Sequence, residues 1–125
     1  MSFVGSRPLA KELGADGTGV AISQVVPSPW SGNVPVVRDY QKAMKDSGAK
    51  DLSFTSLEGY IAARILIEGL KRTGKDLTRE KLIAALEGMN RIEVGGFPVA
   101  FSPKSHDAST FVDLTIIGKN GQFVR

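Results

Sequence analysis

Thr55-Ser56-Leu57-Glu58-Gly59-Tyr60-Ile61-Ala62-Ala63-Arg64-Ile65-Leu66-Ile67-Glu68-Gly69-Leu70-Lys71-Arg72 decides how the rest of this chain is read. Its polar side is a thin stripe of Arg64, Glu68, Lys71 and Arg72, and Tyr60, Ile61, Ala62, Ala63, Ile65, Leu66, Ile67 and Leu70 fill the remainder. A helix apolar over most of its circumference is predicted to lie buried between two layers. Thr55 and Glu58 fit the capping-box spacing, which starts the helix near Ser56.

Working upstream, residues 33–48 read as a second helix. Asn33 is its expected cap, Pro35 sits in its first turn, and Val36, Val37, Tyr40, Ala43 and Met44 repeat at helical spacing. Before it, Pro27-Ser28-Pro29-Trp30-Ser31-Gly32 is a loop by composition. Residues 20–26 read as a mostly buried strand ended by Pro27. A first helix precedes that strand, with Ser6 as its N-cap, Pro8 in its first turn and Gly14 as its stop. Helix followed by buried strand predicts an α/β unit built on a parallel sheet.

Working downstream, Thr78 caps a short helix whose Leu82, Ile83, Leu86 and Met89 are expected to face inward, and Gly88 ends it. Beyond Asn90 the period changes from helical to extended, giving short strands at residues 92–94, 99–101, 111–117 and 122–124. Gly118-Lys119-Asn120-Gly121 between the last two is a hairpin signal, because Asn-Gly supplies positive φ cheaply. The predicted fold class is therefore α/β, a parallel-type lobe with a C-terminal β-hairpin region.

A chain of 125 residues with 42% hydrophobic content is enough for one core. The net charge of +3 is spread over the helices with no basic run, which argues against a nucleic-acid partner. With no cysteine, disulfides, thiolate metal sites and a cysteine nucleophile are excluded. No apolar run reaches the roughly 18 residues of a membrane span. Residues 1–6 lack a basic region followed by an apolar stretch, so no secretory signal is read there, and at face value the chain is soluble and stays where it is made.

Catalysis finds little support. The single histidine, His106, stands in the polar stretch Ser102-Pro103-Lys104-Ser105-His106-Asp107, and a Ser-His-Asp triad is a spatial arrangement that neighbouring letters do not make. No metal-ligand spacing and no phosphate-cradling glycine loop is present, so no enzyme, metal or cofactor is expected. Glu58 carries two readings. It either folds back as a helix cap or sits at a helix start where a ligand anion meets free amides and Ser56 adds a hydroxyl. Trp30, in a loop after a strand, is either a pocket wall or a cover for the core edge. Phe97 and Phe101 read as core on one face of a strand.

The segment Thr55-Ser56-Leu57-Glu58-Gly59-Tyr60, taken with Gly95-Gly96-Phe97-Pro98-Val99-Ala100-Phe101-Ser102-Pro103 and Phe111-Val112-Asp113-Leu114-Thr115-Ile116-Ile117, resembles the C-terminal third of the branched-chain amino-acid-binding proteins. These are solute receptors of bacterial ABC-type uptake transporters. The similarity is collinear from Ser2-Phe3-Val4-Gly5-Ser6 to Gly121-Gln122-Phe123. It implies a partial type I periplasmic binding fold, with residues 1–125 as the C-terminal portion of a two-lobed, periplasmic receptor whose N-terminal lobe is missing from this sequence.

It further implies a small-molecule partner, an amino acid or related carboxylate or amide, held non-covalently by cleft closure. The full-length parent would deliver it to a transporter permease. The cleft positions map onto Ser28, Pro29 and Trp30 and onto Thr55, Ser56, Leu57 and Glu58, with Trp30, Ser56, Leu57 and Glu58 as the candidate ligand contacts. The same resemblance leaves open a ligand-sensing regulatory domain, or a fragment that binds nothing. Strand edges and apolar faces left unpaired by the missing lobe lead to an expectation of self-association.

Overall fold

A computed structural model describes residues 5–124. The strand end expected at Ser2-Phe3-Val4 lies outside them. In chain order the elements are α1 (Ser6–Leu13), β1 (Ala21–Gln24), α2 (Pro35–Asp46), α3 (Phe54–Thr73), α4 (Arg79–Glu87), β2 (Ile92–Val94), β3 (Phe97–Val99), β4 (Asp113–Ile117) and β5 (Phe123–Val124).

The strands form a three-stranded sheet in the order β1-β4-β5 and a separate β2-β3 hairpin. Every ladder among the described residues is antiparallel, and the expected parallel pairing does not fall among them. Helix-strand alternation gives a parallel pair only when another strand lies beside β1. Among the described residues β1 pairs with β4, which comes much later in the chain, Ala21 opposite Ile116 and Gln24 opposite Asp113. No second described strand lies beside β1, and β1 is not mostly buried: Val20 and Val25 on its flanks are exposed. On its inner face Gln24 donates to the Thr115 hydroxyl at 3.0 Å, so both buried polar groups are satisfied.

The hairpin signal before β5 is realised. Asn120 and Gly121 take φ of 66° and 72°, and Gly118 N–H bonds the Gln122 carbonyl at 2.7 Å. Opposite registers separate the two faces of this sheet. Thr115 and Ile117 point into the molecule, while Leu114, Ile116 and Val124 remain on an outer face; Leu114 is 61% exposed.

The core lies between α2, α3 and the β2-β3 hairpin. Val36, Val37 and Tyr40 of α2 meet Phe54, Leu57, Ile61 and Ile65 of α3, with Val94, Phe97 and Val99 from the hairpin and Val26 beside them. Phe101, expected on the same strand face as Phe97, falls beyond β3 and is only partly buried. Helix α2 has no side-chain cap, neither from Asn33 nor from Val34 at its N-cap. Its Val36 N–H is satisfied by the Gly95 carbonyl at 2.8 Å, so the tip of the hairpin serves as the cap.

Helix α3 begins earlier than the capping-box spacing predicts. Ser53 is the N-cap, and its hydroxyl accepts from Ser56 N–H at 3.2 Å. The earlier start brings Phe54 and Leu57 onto the buried face, and burying that aromatic outweighs the Thr55–Glu58 box. On the α2 side, Arg64 donates to the Tyr60 hydroxyl and to Asp39. The Tyr60 bond, more than the Asp39 charge, holds the guanidinium above its usual range against slight burial.

Burial of α3 on all sides is not observed. The face of Leu57, Ile61, Ile65 and Gly69 is covered, and α4 packs so closely at Gly69 that a Cβ there would meet Leu86 at 2.8 Å. Leu66 and Ile67 are 46% and 47% exposed, with Leu70 beside them, and no described residue closes over them. On α4, Thr78 caps as expected, its hydroxyl accepting from Lys81 N–H, but Ile83 is exposed where an inward position was expected. No helix of the described residues is long and apolar enough to cross a membrane.

Candidate functional site

The loop after β1 is rigid for reasons visible in its bonds. Gln41 on α2 donates to the Pro29 carbonyl at 2.9 Å, and Arg38 donates to the Gly32 carbonyl at 2.7 Å. Pro29 is fully buried beneath them. Trp30 is thereby pushed outward and is 41% exposed.

Its ring stacks on Phe123 of β5, centroids 5.9 Å apart and planes 13° from parallel, and takes the edge of Phe54 at 5.4 Å. Phe54 and Phe123 also meet edge to face, at 5.9 Å. Such ring pairs contribute about 0.5–1.5 kcal/mol each beyond the area they bury. Three segments distant in sequence are fastened here: the loop after β1, the start of α3 and the C-terminal strand.

Around this cluster opens a cleft of about 440 Å³, lined by Arg7, Ser28, Trp30, Gly121, Gln122 and Phe123. That volume lies within the range of small-molecule sites, about 300–1,000 Å³. One wall is aromatic, the floor supplies hydroxyl and amide groups, and Arg7 supplies a positive charge. Arg7 pairs with Asp51 at 3.4 Å, yet both side chains are largely exposed. An ion pair of that kind contributes about 0–1 kcal/mol, so a ligand carboxylate competes for Arg7 at little cost.

The sequence-derived candidates fall in three places. Trp30 lines the cleft. Ser56 and Leu57 lie behind it: Leu57 is 0% exposed in the core, and the Ser56 hydroxyl is engaged by Tyr40 and Ser53. Glu58 is exposed on the first turn of α3 and is not among the cleft-lining residues. Thr55, also exposed, would stand 3.2 Å from a Cβ on Gly5, so the start of α3 abuts the start of α1. His106 is mostly exposed and its Nε2 meets Glu87 Oε1 at 3.0 Å, joining its turn to α4.

Arg7, Gln122 and Phe123 were not singled out from sequence. Phe123 had a signal, since the hairpin turn places it opposite Ile117. Arg7 had none, being one cation on a short surface helix.

Residues 1–122 match the model of a family described as periplasmic binding protein. The chain belongs to the periplasmic binding protein family. Three solved structures are similar to this periplasmic binding protein segment. A possible leucine/isoleucine/valine-binding protein from Rhodopirellula baltica SH 1 is 38% identical with a TM-score of 0.87, covering 99% of this chain and 34% of its own. An extracellular ligand-binding receptor from Verminephrobacter eiseniae ef01-2 is 34% identical, TM-score 0.82, covering 99% and 36%. A substrate-binding periplasmic protein from Ralstonia solanacearum is 35% identical, TM-score 0.85, covering 98% and 36%. The segment thus spans about a third of the length of these proteins, and its fold is a partial type I periplasmic binding fold. No curated protein is similar enough to count as a match.

Proposed function

We propose that this chain is the solute-contacting C-terminal portion of a periplasmic receptor for an amino acid or a related carboxylate, working with an ABC-type uptake transporter. Membership in a family of solute-binding receptors supports binding as the activity, with no chemistry on the solute. The observation that carries the reading is the junction of Trp30, Phe54 and Phe123 beside Arg7 and Ser28, an aromatic wall with one cation and one hydroxyl in reach. Arg7 takes the solute carboxylate. Trp30 covers its carbon skeleton. Glu58 and Asp51, both exposed near the start of α3, are the negative groups available to an ammonium. Ser56 and Leu57 hold that helix start in place from behind.

In a receptor carrying this segment, Trp30→Ala is expected to weaken solute binding by about 10- to 100-fold, the loss of one aromatic anchor. Arg7→Gln is expected to weaken carboxylate ligands while sparing amides. Calorimetric titration of the folded variants checks both, and unchanged affinity for every ligand of the panel removes this cleft from consideration.

A second reading concerns the chain by itself. Leu114, Ile116 and Val124 on the outer sheet face, and Leu66, Ile67 and Leu70 on α3, are exposed apolar surface on two sides of the molecule. Surfaces of that kind drive association. Light scattering of the isolated chain is expected to give a mass above 13.4 kDa that rises with concentration. A monomeric mass throughout excludes self-association.

A further inference from the structure

On the other side of Arg7 and Gly121, which line both, lies a second, larger groove of about 670 Å³ formed by the end of α1, the 3-10 turn Gly14–Gly17 and the 3-10 turn Lys119–Gly121. Its charged lining residues are Arg7, Lys11 and Lys119, and no carboxylate lines it. Thr18 and Asn120 add a hydroxyl and an amide. Lys11 and Lys119 are 108 positions apart in sequence (119 − 11), so this meeting of cations is made by the fold.

The cause is the pairing of the sheet. Gly19 N–H bonds the Ile117 carbonyl at 2.7 Å and Ile117 N–H bonds the Val20 carbonyl at 2.9 Å, which draws the β4-β5 turn onto the end of α1. Asn120 and Gly121, both at positive φ, then turn the hairpin tip so that Lys119, Asn120 and Gly121 all line the groove. Among the described residues neither Lys11 nor Lys119 has an ion-pair partner, whereas Arg7 has the weak one to Asp51. The C-terminal end of α1 also reaches the groove through Gly14 with roughly half a negative charge, and Asp16 lies in the adjoining turn without lining the groove, so Lys11 and Lys119 leave its lining positive even with Arg7 paired to Asp51. Like charges gathered in one concavity repel, and an anion seated between them relieves that cost.

From this arrangement we infer that the solute is an organic dianion, with two carboxylates on one carbon skeleton, and that Lys11 and Lys119 select its second carboxylate. This inference rests on the Trp30 cleft being the solute site. The two concavities adjoin at their shared residues Arg7 and Gly121, so a skeleton on Trp30 that extends past Arg7 brings its far end to the lysines. A zwitterion such as leucine fills the first concavity and leaves the second unused.

Trp30 is the only tryptophan, so its indole resonance is a unique reporter for titrating the chain with glutarate, leucine and inorganic phosphate. Glutarate is expected to bind most tightly, to weaken as salt is added, and to lose about tenfold in affinity in the Lys11→Gln/Lys119→Gln double variant, with leucine unaffected. Both lysines are exposed, so circular dichroism of the variant should match the parent. If leucine binds and glutarate does not, or if the double variant binds glutarate undiminished, the inference is overturned and the amino-acid reading stands. Phosphate binding as well as glutarate overturns it too, because charge alone then suffices. If no probe moves the indole resonance, both this inference and the cleft it rests on fall.

Discussion

Leu57→Ala is expected to lower the stability of this chain by about 2–5 kcal/mol, the cost of truncating a fully buried leucine. Small domains hold only about 5–15 kcal/mol in total, so the variant should unfold at much lower urea, and its folded population at 37 °C should fall visibly. Leu57 sits at the centre of the contact between α2 and α3, and the Ser56 beside it has its hydroxyl engaged by Tyr40 across the same contact. The matched comparison is Leu66→Ala, one face over and 46% exposed, for which less than about 1 kcal/mol is expected. A urea midpoint that moves equally for both would mean that the covered face of α3 has been misassigned. A midpoint that stays put for Leu57→Ala while ligand affinity collapses would make Leu57 a contact after all.

Gly95→Ala should be as damaging, for a different reason. Gly95 sits at φ 60°, and a Cβ there would come within 3.0 Å of the Val36 N, Cα and Cβ atoms. Left-handed backbone costs an alanine about 1–2 kcal/mol, and forced overpacking adds about 1–3. The obstructing atoms are mostly backbone at the start of a helix, so they cannot swing aside. Relief would pull Gly95 away from Val36 and sever the 2.8 Å bond that caps α2. Gly48→Ala isolates the backbone component, because Gly48 also has positive φ but nothing within 4 Å of its Cβ position. Denaturation curves should therefore rank Gly95→Ala well below Gly48→Ala. Equal losses would show that the close approach of hairpin and helix costs nothing to disturb.

The sequence is legible where the physics is local. The Asn120-Gly121 turn, the Thr78 cap and the apolar face of α2 each depend on residues within a few positions of one another. The start of α3 was legible only to within a turn, because Ser53 and Thr55 both offer hydroxyl caps; which one wins depends on whether Phe54 finds a core. The direction of the β1 partner was not legible. An alternating helix and strand carry no mark of whether the neighbouring strand comes from before or after, and here β4 comes from after.

The candidate site divides in the same way. Trp30, in a loop after a strand, is legible as a residue at the cleft or at the core edge, and it lines the cleft while packing on Phe54 and Phe123. Arg7, Lys11 and Lys119 have no signature in one dimension, since each looks like an ordinary surface cation until the sheet closes. The apolar circumference of α3 was read correctly as composition, and its burial on every side does not follow within residues 5–124, which cover one side. The relatives of this segment are about three times its length.

The pairing of β1 with β4 also sets a timetable. Gln24 and Thr115, whose side chains bond across that ladder, are 91 residues apart. A ribosome adding about 5–20 residues per second needs on the order of 5–20 seconds to travel that distance. Throughout that interval the side of β1 that β4 will take is unclaimed, while α2, α3 and the β2-β3 hairpin have everything they need to assemble among themselves. The aromatic cleft and the cationic groove both wait for residues 119–123, which line them. The three-stranded sheet therefore closes late, after the helical core has everything it needs to form.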